Sequence, residues 1–387
     1  MPWQERNAME ERVRFVSEAI AETGVNFSGL CRKYGVSRVT GYKWVKRFEE
    51  SGSILGISEK SRRPWHSPNR VSETIKNKVL KLRSPDGWGA RKISHILNRE
   101  GVVVSTGTVH RILQRNGLIH QIDSTQQALS RFERGEPNEL FQMDFKGPMG
   151  KEGNRNEPLT MIDDCSRYAL AVRAVKNHTY DEVKSHFIDI FSEFGLPKEI
   201  LTDHGTPWWS TSNDWGLSKL MVFLINQGIK LRFCRVRHPQ TQGKVERFHR
   251  TLRRSVVKQG APEQFKDWQP LYDGFRYRYN HIRPHHSLGM KTPAEVYKKS
   301  PRPFQPKPIA WVYPSDIEKT QVDSGGSVHL DGKRFFVCEA LAGETVGLHF
   351  ITNLALVQFR HMYVRELDVQ TGRTRALVLP VSEIPTV

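Results

Sequence analysis

A lone carboxylate on a strongly basic helix constrains this chain more than any other feature. In HPQTQGKVERFHRTLRR, His238 to Arg254, Glu246 is the one acid between Lys244 and Lys258, set against Lys244, Arg247, Arg250, Arg253, Arg254 and Lys258. At about 100° per residue, Val245, Phe248, Leu252 and Val256 form a stripe to be buried, and Glu246 shares a neighbouring face with Arg250 and Arg253. A helix with this charge balance seeks a polyanion. An acid at such a docking surface repels the polyanion unless a metal cation intervenes. An ordinary Glu–Arg pair on a solvated face is the competing reading.

Two upstream acids bear on the choice. ELFQMDFKG (Glu139–Gly147) reads as a short strand carrying Asp144 and bounded by Gly147-Pro148. KEILTDHGTPW (Lys198–Trp208) reads as a buried run, Ile200-Leu201, ending at Asp203 before a glycine turn. Aspartate is a poor strand residue, so an Asp at each strand end calls for a reason. Turn initiation or helix capping is one. Convergence with Glu246 is the other: three clustered carboxylates take up protons or hold divalent cations. Carboxylate oxygens suit magnesium and manganese. Two such ions about 4 Å apart stabilise the entering and leaving oxygens of an in-line phosphoryl displacement. Asp163 and Asp164, in MIDDCSRY, lie between the apolar runs Leu159–Ile162 and Tyr168–Val175. A hairpin turn explains them, with a supporting role behind the three acids as the alternative.

The chain has 387 residues, enough for two or more domains, and a formal charge of +18 on a 37% hydrophobic composition that still supports proper cores. Excess positive charge in a folded chain points to nucleic acid or an anionic surface. No apolar run approaches the ~20 residues of a membrane-spanning helix and the start lacks a signal-peptide core, so a soluble cytoplasmic protein is expected. Cys31, Cys165, Cys234 and Cys338 are isolated, without a CxxC pair, which argues against structural zinc and disulfides.

The front of the chain is expected to hold double-stranded DNA. Helical periodicity over Glu10–Thr23, a short helix over Phe27–Tyr34, Gly35, and Ser37 as N-cap of Arg38–Glu50 make a helix-turn-helix pattern within residues 1–50. Its last helix carries Arg38, Thr40, Lys43, Lys46 and Arg47 around Val39, Trp44, Val45 and Phe48. It is either a recognition helix in a major groove or the solvated basic face of a small bundle. Residues 51–71 form a Ser-, Gly- and Pro-rich basic linker, in which Arg62 and Arg63 suit a minor groove or a phosphate backbone. A second helical unit spans 72–120, with helices Ser72–Leu82, Ala90–Glu100 and Ser105–Asn116. Beyond Pro301, PRPFQPKP reads as another linker. The stretch 316–375 alternates apolar and polar residues, with Val328–Leu330, Arg334–Val337, Val346–Phe350 and Ala355–Arg360 as strands of a small β-barrel.

The blocks FQMDFKG, LTDHG, HPQTQGKVERFHRTL and YNHIRPHHSLGMKTPAEVY, in this order, resemble DDE-type transposases with a retroviral-integrase-like core, specifically bacterial insertion-sequence transposases. The resemblance runs from Val25 to Tyr297. It implies a ribonuclease-H-like α/β core over 136–300, with Asp144, Asp203 and Glu246 as catalytic and metal-binding acids. It implies two magnesium ions, with manganese able to substitute. It also implies that Thr106, Thr108, His110 and Arg111 of the second helix-turn-helix face DNA. Lys244, Arg247, Arg250, Arg253 and Arg254 are expected along the DNA groove of the core. The second acid separation, 43 residues against 59 for the first, is longer than usual in the family, with the excess in PWWSTSNDWGLSK (Pro207–Lys219). His204, Gln242 and Phe141 also depart from its pattern. The implied activity is that of a transposase, nucleoid-associated and at least dimeric on paired ends. It would bind terminal inverted repeats and carry out metal-dependent 3′-end cleavage and strand transfer. A catalytically silent DNA-binding regulator is the alternative.

Overall fold

The structure, a computed structural model, describes residues 7–21, 24, 26–59, 70–84, 86–119, 133–151, 154–210, 216–234, 243–307 and 310–381. It divides into two compact units, Met1–Val71 and Ser72–Val387. No helix among the described residues is long and apolar enough to cross a membrane.

In the first unit, α1 (Ala8–Ala21), α2 (Phe27–Lys33) and α3 (Arg38–Ser51) precede a 3-10 turn at Ile54–Ile57. Asn26 and Ser37 cap the second and third helices by accepting from the backbone N–H of Gly29 and Thr40. Phe15, Val16, Leu30, Cys31, Trp44 and Ile57 form the core. Gly41 lets α3 approach closely: a Cβ there would lie 2.9 Å from Cys31 Sγ and from the Phe15 ring. Val39, expected on the apolar side of α3, is 80% exposed. It stands two positions before Gly41, on the opposite face of the helix.

The second unit opens with α4 (Glu73–Arg83), α5 (Ala90–Arg99) and α6 (Thr106–Arg115), the second helical module. This module is tied to the remainder of its unit. Asp86 accepts from Ser255 Oγ at 3.1 Å and faces Arg278 at 3.6 Å, Arg91 meets His286 at 2.6 Å, and Arg99 pairs with Glu295 at 3.3 Å. The central part then runs β1 (Leu140–Phe145), β2 (Leu159–Asp163), β3 (Ala169–Arg173), α7 (Tyr180–Phe194), β4 (Glu199–Thr202), β5 (Trp209–Ser210), β6 (Gly216–Leu217), α8 (Lys219–Asn226), β7 (Lys230–Phe233), α9 (Gly243–Gln259) and α10 (Trp268–Tyr277). Five strands form a mixed sheet in the order β3-β2-β1-β4-β7, antiparallel on one side of β1 and parallel on the other.

Strand alternation divides this sheet into two faces. Phe141, Met143, Leu159 and Met161 point into the core shared with α7 and α8. Ile162 and Val172 point to the opposite face, against Val245, Phe248, Leu252 and Val256 of α9 and Trp268, Tyr272 and Phe275 of α10. The stripe read from the sequence of α9 is therefore buried where expected. Alternation also puts Gln142 and Asp144 on the α9 face.

The chain continues into β8 (Glu318–Gln321), β9 (Ser327–Leu330), β10 (Lys333–Phe336), β11 (Thr345–Ile351), β12 (Leu354–Phe359), β13 (Met362–Asp368) and β14 (Thr374–Pro380). The expected barrel does not close. These strands form a two-stranded ladder, β10-β9, and an open five-stranded sheet, β14-β13-β12-β11-β8, whose end strands β8 and β14 do not pair. The open sheet shares the α7–α8 core instead, through Val346, Leu348, Val357 and Leu367. Core packing on one face replaces the self-closure of a barrel. The proline-rich stretch at 301–307 is strapped down rather than loose: Arg302 donates to the carbonyls of Pro197 at 2.5 Å and Gly228 at 2.8 Å.

Candidate active site

Asp144 is the fifth residue of β1, and β4 runs parallel beside it. Every pair of the β1–β4 ladder, Leu140↔Glu199 through Gln142↔Leu201, is separated by 59 positions, the spacing that also separates Asp144 from Asp203. Asp203 follows the last residue of β4 at the level of Asp144, and parallel register puts both side chains on one face. The next ladder carries the row further: β4 and β7 pair with an offset that matches Asp203 to Cys234, and Cys234 N–H bonds the Thr202 carbonyl at 3.0 Å. Glu246 lies in the first turn of α9, on an exposed position.

The charges of Asp203 and Glu246 both reach Asp144. Burial raises Asp144 first, and the charges of Asp203 and Glu246 add to it. The Phe145 N–H and the Lys146 ammonium work against this, and its carboxyl ends at about 7. The Cys234 thiol is pushed up to about 11 by burial and then by Asp203, Asp144 and Glu246. Among the described residues, however, no three His, Cys, Asp or Glu side chains stand close enough together to grip an ion as they are.

Asp203 also does what the turn reading required. Its Oδ1 accepts from Gly205 N–H at 2.9 Å, and a Cβ on Gly205 would come within 3.1 Å of both carboxylate oxygens. Glycine lets the turn close over the acid. The longer segment after Asp203 packs inward: Trp208 is buried and stacks on Phe145 with ring centroids 5.1 Å apart, while Trp209 meets His204 at 5.3 Å. Residues 211–215 of that segment lie outside the described residues, as does Gln242.

Sequence reasoning undervalued the Asp163-Asp164 pair. Both are fully buried. Asp163 accepts from the N–H groups of Asn138 and Ser166 and from Ser166 Oγ, as a turn residue does. Asp164 accepts from Arg134 N–H and Gln142 Nε2, and pairs with Lys244 Nζ at 2.5 Å. Lys244 was expected on the DNA groove; its side chain is only 15% exposed and points inward to this pair. A buried carboxylate draws the nearest cation out of solvent.

Arg247, Arg250, Arg253 and Arg254 are exposed on α9, and among the described residues none forms an ion pair. In the first unit Arg38, Lys43 and Lys46 of α3 are exposed, while Arg47 lies over the Trp44 ring at 4.9 Å. Thr40 is half-buried, its hydroxyl 2.9 Å from the capping Ser37. The second module repeats this arrangement: Thr108 is half-buried with its hydroxyl 3.0 Å from Ser105, while Thr106, His110 and Arg111 are exposed. Tyr42, which the sequence reading did not single out, is exposed with Val39 beside the basic residues of α3. Arg62 and Arg63 lie outside the described residues.

Comparison with known families matches the integrase core domain over residues 134–239 and again over 227–293. A helix-turn-helix domain matches 11–64, and a homeodomain-like domain matches 40–113. The Insertion element IS407 uncharacterized 31.7 kDa protein of Burkholderia multivorans is 22% identical over 255 residues, covering 64% of this chain and 88% of that protein. The chain carries an integrase core of the insertion-sequence transposase type. The Gag-Pol polyprotein of baboon endogenous virus is 23% identical over 236 residues, 58% of this chain, and the match spans only 13% of the polyprotein. Among solved structures, the chain has likeness to a simian T-cell lymphotropic virus intasome in complex with PP2A regulatory subunit B56 gamma, at 14% identity and a TM-score of 0.40, covering 79% of this chain and 96% of that one. The HTLV-2 integrase catalytic core domain in complex with magnesium matches at 19% identity and a TM-score of 0.32, covering 42% of this chain and 97% of that one.

Proposed function

We propose that the chain is a DNA transposase: it binds the terminal inverted repeats of a mobile element, cleaves their 3′ ends in a metal-dependent reaction and joins them to target DNA. The observation that carries this reading is that the charges of Asp203 and Glu246 both reach Asp144 at the C-terminal end of β1, beside a helix with four exposed arginines. A carboxylate set of this kind fits small divalent cations. Asp144, Asp203 and Glu246 would hold them, with Glu246 drawn in from its exposed position. When bound, two magnesium ions, replaceable by manganese, supply charge stabilisation for the entering and leaving oxygens of the phosphoryl displacement.

The remaining work falls to the chain's own groups. Arg250 and Arg253, one and two turns beyond Glu246, bind phosphates next to the acids. The exposed residues of α3 and α6 read duplex ends, and two linked modules multiply their affinities. Two ends must be cut and joined together, so the working form is at least a dimer.

The test is incubation of labelled duplex ends with a supercoiled plasmid and magnesium. Joined products support the reading. Cutting without joining would make the chain a nuclease. Tight end-binding with no cutting in any metal would make it a catalytically silent regulator.

A further inference from the structure

Behind Asp144 three groups form a hydrogen-bonded chain that the acids alone do not require. Thr160 of β2 lies opposite Asp144 in the β1–β2 ladder, and its hydroxyl donates to the Asp144 carbonyl at 2.8 Å. A hydroxyl has one proton to give, so Thr160 Oγ1 is an acceptor toward its other neighbour, His249 Nε2, at 2.7 Å. The ring proton therefore sits on Nε2, and Nδ1 carries a lone pair. That Nδ1 lies 3.8 Å from Asp144 Oδ2. At 3.8 Å the contact is too long for a hydrogen bond, so no ring proton is shared with the carboxylate. A lone pair facing a carboxylate oxygen is repulsive unless a proton or a cation lies between them. His249 is also three residues beyond Glu246, on the adjacent turn of α9.

We propose that His249 supplies a nitrogen ligand, through Nδ1, to the cation held by Asp144, with Thr160 fixing its tautomer. The inference rests on the reading of the acids as a cation site. The 3.8 Å separation is shorter than two ligand bonds of about 2.1 Å laid end to end, so one small ion can touch both atoms with both backbones in place. Histidine ligands usually give their other ring N–H to a partner that orients the ring, and Thr160 is that partner here. Imidazole suits transition metals better than magnesium, so His249 biases the site toward manganese.

The experiment uses the full chain with Mn2+ alone and reads nitrogen coupling to the bound ion by pulsed electron paramagnetic resonance, with affinities from calorimetry. The wild type is expected to show imidazole nitrogen coupling that disappears in His249→Gln. Mn2+ affinity should fall by about tenfold or more in that variant, with Mg2+ affinity changing far less. Thr160→Val, which keeps the shape and removes the hydroxyl, should weaken Mn2+ binding in the same direction and guards against a misfolded His249 variant. Bound Mn2+ with no nitrogen coupling, or equal Mn2+ affinity in the wild type and both variants, would overturn the proposal. Mn2+ binding that is indifferent to Asp144→Asn would instead overturn the cation site, and the proposal with it.

Discussion

Asp144 and Asp203 are 59 positions apart, the offset of every rung in the parallel β1–β4 ladder, which ends at Gln142↔Leu201 and brings Asp203, the residue after β4, toward the level of Asp144. Neighbouring parallel strands lie about 4.8 Å apart, so two carboxylates at one level of such strands repel wherever both are ionised.

Burial of Asp144, with that repulsion added, gives a pH signature. The folded Asp144 carboxyl, raised to about 7, lies above the ~3.9 of a free chain, so between these values the native state binds a proton that the unfolded chain has lost. Stability contributed by the protonated acid is therefore lost as pH rises through that window. Asp144→Asn, without metal, is expected to raise the melting temperature at pH 8 and to change it little at pH 4. The gain is at most about 4 kcal/mol, and smaller in practice because the side chain keeps 23% exposure. Equal shifts at both pH values would contradict the raised Asp144 carboxyl.

The buried Lys244–Asp164 pair fixes the start of α9 two residues before Glu246. Removing one partner strands a charge in the interior, so Lys244→Met is expected to cost about 3–5 kcal/mol in denaturant unfolding. Lys244→Met combined with Asp164→Asn should cost clearly less than the two single changes together. Simple additivity would show that the pair does not act as a unit.

Gly205→Ala tests the turn over Asp203. The new methyl would press on both carboxylate oxygens at 3.1 Å and displace the acid. Joining should slow by up to about a hundredfold, as small misplacements in an active site do, while the melting curve stays close to wild type. An unchanged rate would mean that the position of Asp203 does not matter.

Arg250 and Arg253 are exposed and Lys244 is not, which separates the proposed DNA contacts from a structural cation. Arg250→Ala and Arg253→Ala are each expected to weaken binding to any duplex and to lower the salt slope of binding by about one. A loss confined to one DNA sequence would assign them to base reading instead.

Local signals in the sequence were enough for the helix starts: Ser37 and Ser105 cap the helices they were read to begin, and Val245, Phe248, Leu252 and Val256 are buried. The two strand-end acids were legible because aspartate is out of place there. Pairing across long sequence distance was not. Nothing near Lys244 reveals that its partner is Asp164, 80 positions upstream. His249 and Ser255 were passed over on α9 because an apolar stripe does not flag buried polar residues whose partners are on other elements. In the tail, β8 has the sequence EKTQ without apolar alternation, and β13 carries the buried Arg365, so neither resembles a strand in composition. Closure of that sheet depended on whether its end strands pair, which short-range patterning does not encode.

The most direct test of the acid cluster is the anomalous diffraction of Mn2+ in crystals of the full chain. The expected result is an ion bonded at about 2.1–2.2 Å to Asp144 and Asp203, with Glu246 turned toward it, and loss of that peak in Asp144→Asn. A manganese peak remote from these side chains, or none at saturating metal, would contradict the assignment of Asp144, Asp203 and Glu246 as a working site.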